Sequence, residues 1–376
     1  MIPYSYTLRH DQNGRIVEKT ETVNGKAVVW KYSYDKDGRL QEAHLDGRLI
    51  CQCHYDKEGR RMRDYLPATA GSNYRDYTYT MENRLLRAGK DSYTHDEKGF
   101  RSIWSHGGTY YLYKYSPDYR LLRMEVEDQN RVFTYRHDDN GQRIAKYCNG
   151  QLVEAYAWLD FVRLAGFHDG QHGYEFAYQD ETRTPYAMRR DDGTIAYLFY
   201  DQVGSLRVVA DPEGNVIQEI LYDPFGGIIE DTNPSLRIPI GYAGGLHDRD
   251  LGFVRFGWRD YDANTSRWTA PDPIGDKGGD SDWYGYCLDD PVNANDSNGL
   301  FLNWIIKQGV RQGTKAGIKK TGKEAADKNP KNQFLQGLDR FLNGKGLDED
   351  PMSMDTDSDG VRDYCDPDSD WNKNKK

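Results

Sequence analysis

Apolar and polar positions alternate along most of the chain, and turn residues interrupt the alternation at regular intervals. One unit recurs: two aromatic or apolar residues one apart, an Asp or a substitute, a Gly three residues later, then a basic and an apolar residue. It reads LRHDQNGRI at 8–16, YSYDKDGRL at 32–40, CHYDKEGRR at 53–61, YTYTMENRL at 77–85, YTHDEKGFR at 93–101, YKYSPDYRL at 113–121 and YRHDDNGQRI at 135–144. Side chains two apart share one face of a strand, so each aromatic pair predicts a strand with one buried face. Asp caps its own turn and Gly takes positive φ, so each copy predicts strand, tight turn and return strand. Asn83 and Tyr119 stand where other copies have Gly, which weakens the local turn signal but not the period. Anchors about twenty residues apart make each copy one supersecondary unit, and stacked units bury each other's faces in a curling sheet. Two more turns, Asp201 to Gly204 and Asp211 to Gly214, lie among alternating apolar residues at 199–223.

The pattern changes at 257–300, GWRDYDANTSRWTAPDPIGDKGGDSDWYGYCLDDPVNANDSNGL. Gly, Pro, Asn and Asp dominate, which favours turns. Trp258, Tyr261, Trp268, Trp283, Tyr284 and Tyr286 are too much aromatic surface to leave in water, so a compact irregular plug is expected. Its Asp residues read first as turn caps and surface charges, and as the alternative some of them read as a close pair. Two buried carboxyls in one site cannot both ionise, and a protonated/ionised pair at neutral pH is the equipment of aspartic-type peptide cleavage.

On these residues the stretch resembles the Rhs-repeat-associated core domain of bacterial Rhs/YD-repeat proteins. The matching elements are Arg259-Asp260-Tyr261-Asp262, Arg267-Trp268, Asp272-Pro273-Ile274-Gly275, Gly278-Gly279, Tyr284-Gly285-Tyr286, Asp290-Pro291 and Asp296-Ser297-Asn298-Gly299-Leu300. The upstream units resemble the YD repeats expected before such a core. The resemblance implies a mainly β fold: a YD-repeat β-sheet spiralling into a hollow shell, complete or incomplete, and closed by the plug. It also implies an autoprotease that cuts after the Leu. Carried over, the catalytic pair is Asp272 and Asp296, Arg259 assists with Arg267 as runner-up, and the cut falls between Leu300 and Phe301. The chain departs from the family pattern at Asp260 (usually Tyr), Ser297 (usually Pro) and Leu288-Asp289-Asp290 (usually an Asn-rich run). The expected divisions are 1–150 (YD-repeat sheet), 151–235 (further strands), 236–300 (core), 301–346 (basic, partly helical tail) and 347–376 (acidic tail).

Composition agrees with this division. Hydrophobic residues are 37% yet aromatics are 13%, with 29 Tyr and 38 Gly, so burial rests on Tyr and favours strands and turns. A net charge of −10 leaves no global basic footprint for nucleic acid or an anionic membrane. Five scattered cysteines make no disulfide framework, and Cys51 and Cys53 read as core or surface thiols. The histidines show no metal spacing; His95 and His137 take the second aromatic place of a repeat and read as packing residues. The opening MIPYSYTLRH lacks a signal-peptide pattern, so synthesis in the cytoplasm and export or surface display by a leaderless route are expected.

The tail at 301–346 has ten Lys and Arg against three Asp and Glu, and no His. Trp304, Ile305 and Ile306, then Phe334, Leu335, Leu338, Phe341 and Leu342, fall at helical spacing and predict two short amphipathic helices around a loose linker. No toxin-type catalytic set can be assembled there. Farther on, DTDSDGVRDYCD at 355–366 spaces Asp355, Asp357, Asp359, the Val361 carbonyl, Asp363 and Asp366 as a calcium loop does, with Gly360 at the sharp turn. It is similar to the unit of thrombospondin type 3 repeats, and calcium is the expected cofactor of the tail; the core needs none. The expected function is encapsulation and single-turnover release of the chain's own C-terminal tail as cargo. A secretion apparatus or an immunity protein is the further partner implied, with no nucleic-acid or membrane partner indicated. The alternative is a non-catalytic cell-surface scaffold with a calcium-stabilised tail.

Overall fold

The computed structural model describes residues 2–180 and 182–305. Contacts divide the chain into two units, Met1–Thr314 and Lys315–Lys376, and every described residue belongs to the first. The unit is mainly β. Twenty-two strands, from Tyr4–His10 to Ile228–Asp231, join in one sheet. Each strand pairs antiparallel with the next in sequence, a plain meander that short turns can connect. The meander passes residue 150 without a break, where Arg143–Cys148 pairs with Gln151–Trp158.

The repeated unit has a bond-by-bond explanation. At Asp35 the backbone amide donates to Arg39 O (2.9 Å), Gly38 N donates to Asp35 O (3.1 Å), and the carboxylate accepts the Arg39 amide (2.9 Å). The same three bonds recur at Asp11, Asp56 and Asp138. Gly38 sits at φ +92°, as this turn requires. The degenerate copies close the same turn: Asn83 and Tyr119 hold φ +60° and +69°, and the hydroxyls of Thr80 and Ser116 replace the carboxylate. Asn visits that region readily, whereas Tyr does so at a cost.

A register shift falls just before these turns, between Ser33 and Tyr34, His54 and Tyr55, and Thr78 and Tyr79. Such bulges re-aim a side chain. Here the second aromatic reaches the preceding copy: Tyr34 Oη donates to Ile16 O (2.6 Å), Tyr55 to Leu40 O (2.7 Å) and Tyr79 to Arg61 O (2.7 Å). Arg15 and Arg39 lie over the rings of Tyr34 and Tyr55, at 5.7 and 4.7 Å. The first aromatic of each pair points into the core, where Tyr32, Tyr77, Tyr93, Tyr113 and Tyr135 are buried. Cys51 and Cys53 are core thiols, and burial pushes Cys53 up to about 12. Burial also pulls His95 down to about 3 and His137 well below its ordinary value, so both are neutral packing residues, as their place in the repeat predicts.

The sheet curls back on itself. Tyr4 and Val23 pack with Val208, Arg207 Nε donates to Glu21 Oε1 (3.1 Å), and Lys19 lies 3.8 Å from Asp201. Residues 232–305 fill the inside of the curl. They contain a four-stranded sheet, Leu246–Asp248, Phe253–Phe256, Arg259–Asp262 and Arg267–Trp268, set among irregular backbone. Buried cations of the repeats reach into it: Arg101 to Asp262 (2.5 Å), Lys146 to Asp248 (2.6 Å), Arg61 to Asp289 (2.6 Å) and Arg143 to Asp260 (3.5 Å). Tyr261, Trp268, Tyr284 and Tyr286 are buried as expected, with Tyr261 and Tyr286 rings 4.4 Å apart. Trp258 and Trp283 instead stay at the surface, 39% and 46% exposed.

Candidate functional site

The residues of interest come together where the strand Arg259–Asp262 meets the turn that ends the plug. Arg259 lies over the Trp268 ring at 4.2 Å and is buried. Its Nε donates to Gly299 O (2.6 Å) and its Nη1 to Trp283 O (3.1 Å). Its Nη2 meets both carboxylates, Asp272 Oδ2 at 2.8 Å and Asp296 Oδ2 at 3.4 Å. Asp272 and Asp296 thus share one nitrogen of one buried guanidinium. Arg267, the runner-up, is elsewhere: it pairs with Asp282 at 2.7 Å and donates to Asn83 O at 3.0 Å.

Asp296 also organises the chain it precedes. Its Oδ1 accepts the amides of Gly299 (2.9 Å) and Leu300 (3.1 Å). Gly299 has φ +73°, and a Cβ there would come within 2.4 Å of Phe256 O, so the turn needs glycine. Burial is the largest influence on Asp296 and raises its carboxyl above the ordinary range, against the pull of Arg259 and the turn amides. Burial likewise lowers Arg259, opposing Asp272 and Asp296.

Gly278 lies beside both Asp272 and the Leu300 carbonyl. A Cβ on it would lie 2.6 Å from Asp272 Oδ2 and 3.0 Å from Leu300 O, so both oxygens crowd the same space. Around them lies a cavity of about 20 Å³ lined by Arg259, Asp272, Asp280, Asp296 and Leu300, room for one water. The next bond is presented on a hairpin: Ala294–Asn295 pairs with Asn303–Trp304, and Ile305 N donates to Asn293 O (2.8 Å). Phe301 is 49% exposed, and its amide donates to Asn298 Oδ1 (3.2 Å).

Three residues at this site escape the sequence pattern. Asn298 holds the amide of the Leu300–Phe301 bond. Asp280 is a third carboxyl in the cavity wall, pushed up to about 7 by burial, with Asp282 and Asp289 adding to the rise. Tyr119, from the repeats, feels the charges of Arg259 and Asp272. Asn298 sits at a variable place in the family pattern, and only the oddity of Tyr for Gly flags Tyr119. The departures at 260 and 290 have partners of their own: Asp260 binds Arg255 (3.0 Å), and Asp290 accepts the Asn293 side chain (2.8 Å). A larger cavity of about 590 Å³, walled in part by Arg75, Arg101, Trp104 and Arg249, includes none of the pair. Asp355, Asp357, Asp359, Val361, Asp363 and Asp366 lie outside the described residues, as does the expected helical stretch from Ile306 on; Trp304, at the start of the first expected helix, instead stands in the strand Asn303–Trp304, because its backbone pairs with Ala294–Asn295. Among the described residues no group of three or more His, Cys, Asp or Glu is placed to hold a metal.

Residues 2–281 match the family described as Teneurin YD-shell. Teneurin-4 of Mus musculus is 29% identical over 275 residues, covering 72% of this chain and 10% of that protein. Teneurin-1 of Gallus gallus is 29% identical over 280 residues with the same two shares. The chain therefore spans about a tenth of the length of these relatives. The crystal structure of TcdB2-TccC3-Cdc42 superposes with a TM-score of 0.42 at 16% identity, covering 79% of this chain and 20% of that one.

Proposed function

This chain belongs to the teneurin YD-shell family, and from that premise we propose that it is a shell segment whose plug cuts its own chain once, between Leu300 and Phe301. The observation that carries the reading is the shared guanidinium: Arg259 binds both Asp272 and Asp296, while Asp272 Oδ2 and Leu300 O both lie beside Gly278. One positive charge neutralises one carboxylate. Burial raises Asp296, which suits it to the acid's part, and Asp272, 2.8 Å from Arg259, takes the base's part. Asp272 takes a proton from a water in the cavity as its oxygen bonds to the Leu300 carbonyl carbon. The Asp296 proton passes to the Phe301 nitrogen, the C–N bond breaks, and a Phe301 amine and a Leu300 carboxylic acid, which loses its proton to water, remain.

The polypeptide after Leu300 is then the released cargo, and export or surface display, in bacterial competition or secretion, is the setting in which release has a use. Calcium at 355–366 belongs to the same proposal. It predicts heat on titrating the full chain with calcium chloride, abolished by Asp359→Ala; equal titrations of both chains would remove calcium from the account. A second reading, a non-catalytic scaffold, is favoured by the number of partners Arg259 already satisfies. A time course separates the two. Full-length chain made by cell-free synthesis is followed by gel at several pH values. The cleavage reading predicts a bell-shaped rate that Asp272→Asn and Asp296→Asn each abolish while the circular dichroism stays native. A wild type that stays whole at every pH leaves the scaffold.

A further inference from the structure

Asn298 stands in the turn between Asp296 and the cut, and its side chain reaches the reacting bond itself. Its Oδ1 accepts the amide of Phe301 at 3.2 Å and the amide of Leu300 at 3.1 Å. Phe301 N is the nitrogen that leaves when the Leu300–Phe301 bond breaks, so Asn298 touches a reacting atom. The turn has other bonds to hold its shape. Asp296 Oδ1 accepts the amides of Gly299 and Leu300, at 2.9 and 3.1 Å, and the main-chain Asn298 O accepts Trp258 N at 3.0 Å. Beyond the bond, Asn303–Trp304 pairs with Ala294–Asn295. All of these stay in place when the Asn298 side chain is removed. What goes with it is the acceptor on the departing nitrogen.

We propose that Asn298 is a further catalytic residue of the cleavage, an acceptor that steadies the leaving nitrogen. The inference rests on the cleavage reading above. An amide nitrogen leaves poorly because its lone pair is shared with the carbonyl. When that lone pair takes the Asp296 proton the nitrogen gains positive charge, and it then keeps the electron pair of the breaking C–N bond and departs as an amine. The N–H held by Asn298 Oδ1 becomes a charge-assisted donor during this step, so the contact is stronger in the transition state than before it. The carbonyl oxygen alone performs this part, and a carboxylate can stand in for it: in another turn of this chain Asp160 Oδ1 accepts the amides two and three residues on, Val162 at 3.0 Å and Arg163 at 2.9 Å. A hydroxyl reaches the nearer of those places, as Thr80 Oγ1 does for Glu82 N at 3.2 Å.

The test uses full chains in the same time course. Asn298→Ala is expected to cleave on the order of tenfold to a hundredfold more slowly, the loss of one hydrogen bond to a charged group. Asn298→Asp is expected to recover most of that loss, and Asn298→Ser, which adds no charge beside the pair, part of it. Melting is compared in an Asp296→Asn background, where the chain stays whole, and Asn298→Ala is expected to leave it unchanged there. A purely structural role would move melting and cleavage together, and that result overturns the inference. A wild-type rate in Asn298→Ala overturns it alone, as do losses in Asn298→Asp and Asn298→Ser equal to that of Asn298→Ala. A wild type that never cleaves overturns the cleavage reading and this inference with it.

Discussion

Asp223 ends the last of the repeat-like turns with one carboxylate oxygen satisfied and the other not. Oδ1 accepts Phe225 N (2.8 Å) and Gly227 N (3.0 Å), while buried Oδ2 has no partner. Burial pushes this carboxyl up to about 7. A folded-state value above the unfolded one means that the native chain binds the extra proton, so the group's contribution is fully present below the unfolded value. It is lost as pH rises from the ordinary carboxyl range to about 7. Asp223→Asn should therefore flatten the decline in that window, by at most about 1.4 kcal/mol per pH unit, in urea denaturation at stepped pH. Parallel curves for the two chains would contradict it. The motif pointed to Asp272, Asp296 and Arg259 from their places in the pattern, and the fold brings these three side chains to one guanidinium while Arg267 lies elsewhere. Asn298 and Asp280 were not legible there, because their roles come from where the backbone folds and not from a fixed spacing.

At the scale of the element, the repeat is a device for joining copies. The first aromatic fills the core, the Asp closes the turn, the second aromatic bonds back to the previous copy, and the Arg lies over the next copy's ring. Tyr55→Phe removes one such bond, to Leu40 O, and should cost about 1 kcal/mol by denaturant titration. Gly38→Ala should cost more, about 1–3 kcal/mol. It strains φ +92° and places a Cβ 2.1 Å from the Arg15 guanidinium of the preceding copy. If Gly38→Ala proves the milder of the two, the packing of Arg15 beneath that turn is not as described. Strand, turn and period were all readable from the alternation, since each is a local property. The hydrogen-bonded ladder of second aromatics was not, because a bulge decides which way each ring leans.

At the scale of the whole molecule, the meander wraps a plug that it grips with buried charge. The pairs Arg101–Asp262, Lys146–Asp248 and Arg61–Asp289 each join a repeat to the plug. Arg101→Met leaves Asp262 buried without its main counter-charge and should destabilise the fold by about 3–5 kcal/mol. A loss below 1 kcal/mol in thermal melting would show that the plug is held mainly by its aromatic cluster. The sequence announced a plug by its composition, but not which cations hold it, since Arg101 and Asp262 are distant in the chain and nothing local pairs them. The Leu300–Phe301 bond lies on a short hairpin, with the Leu300 carbonyl and Asp272 both lining the small cavity beside Gly278. The most direct measurement is the intact mass of the purified chain beside Asp296→Asn. The account predicts that the wild type yields two masses, residues 1–300 and 301–376, and that the variant yields one. Two whole chains under native conditions would contradict it.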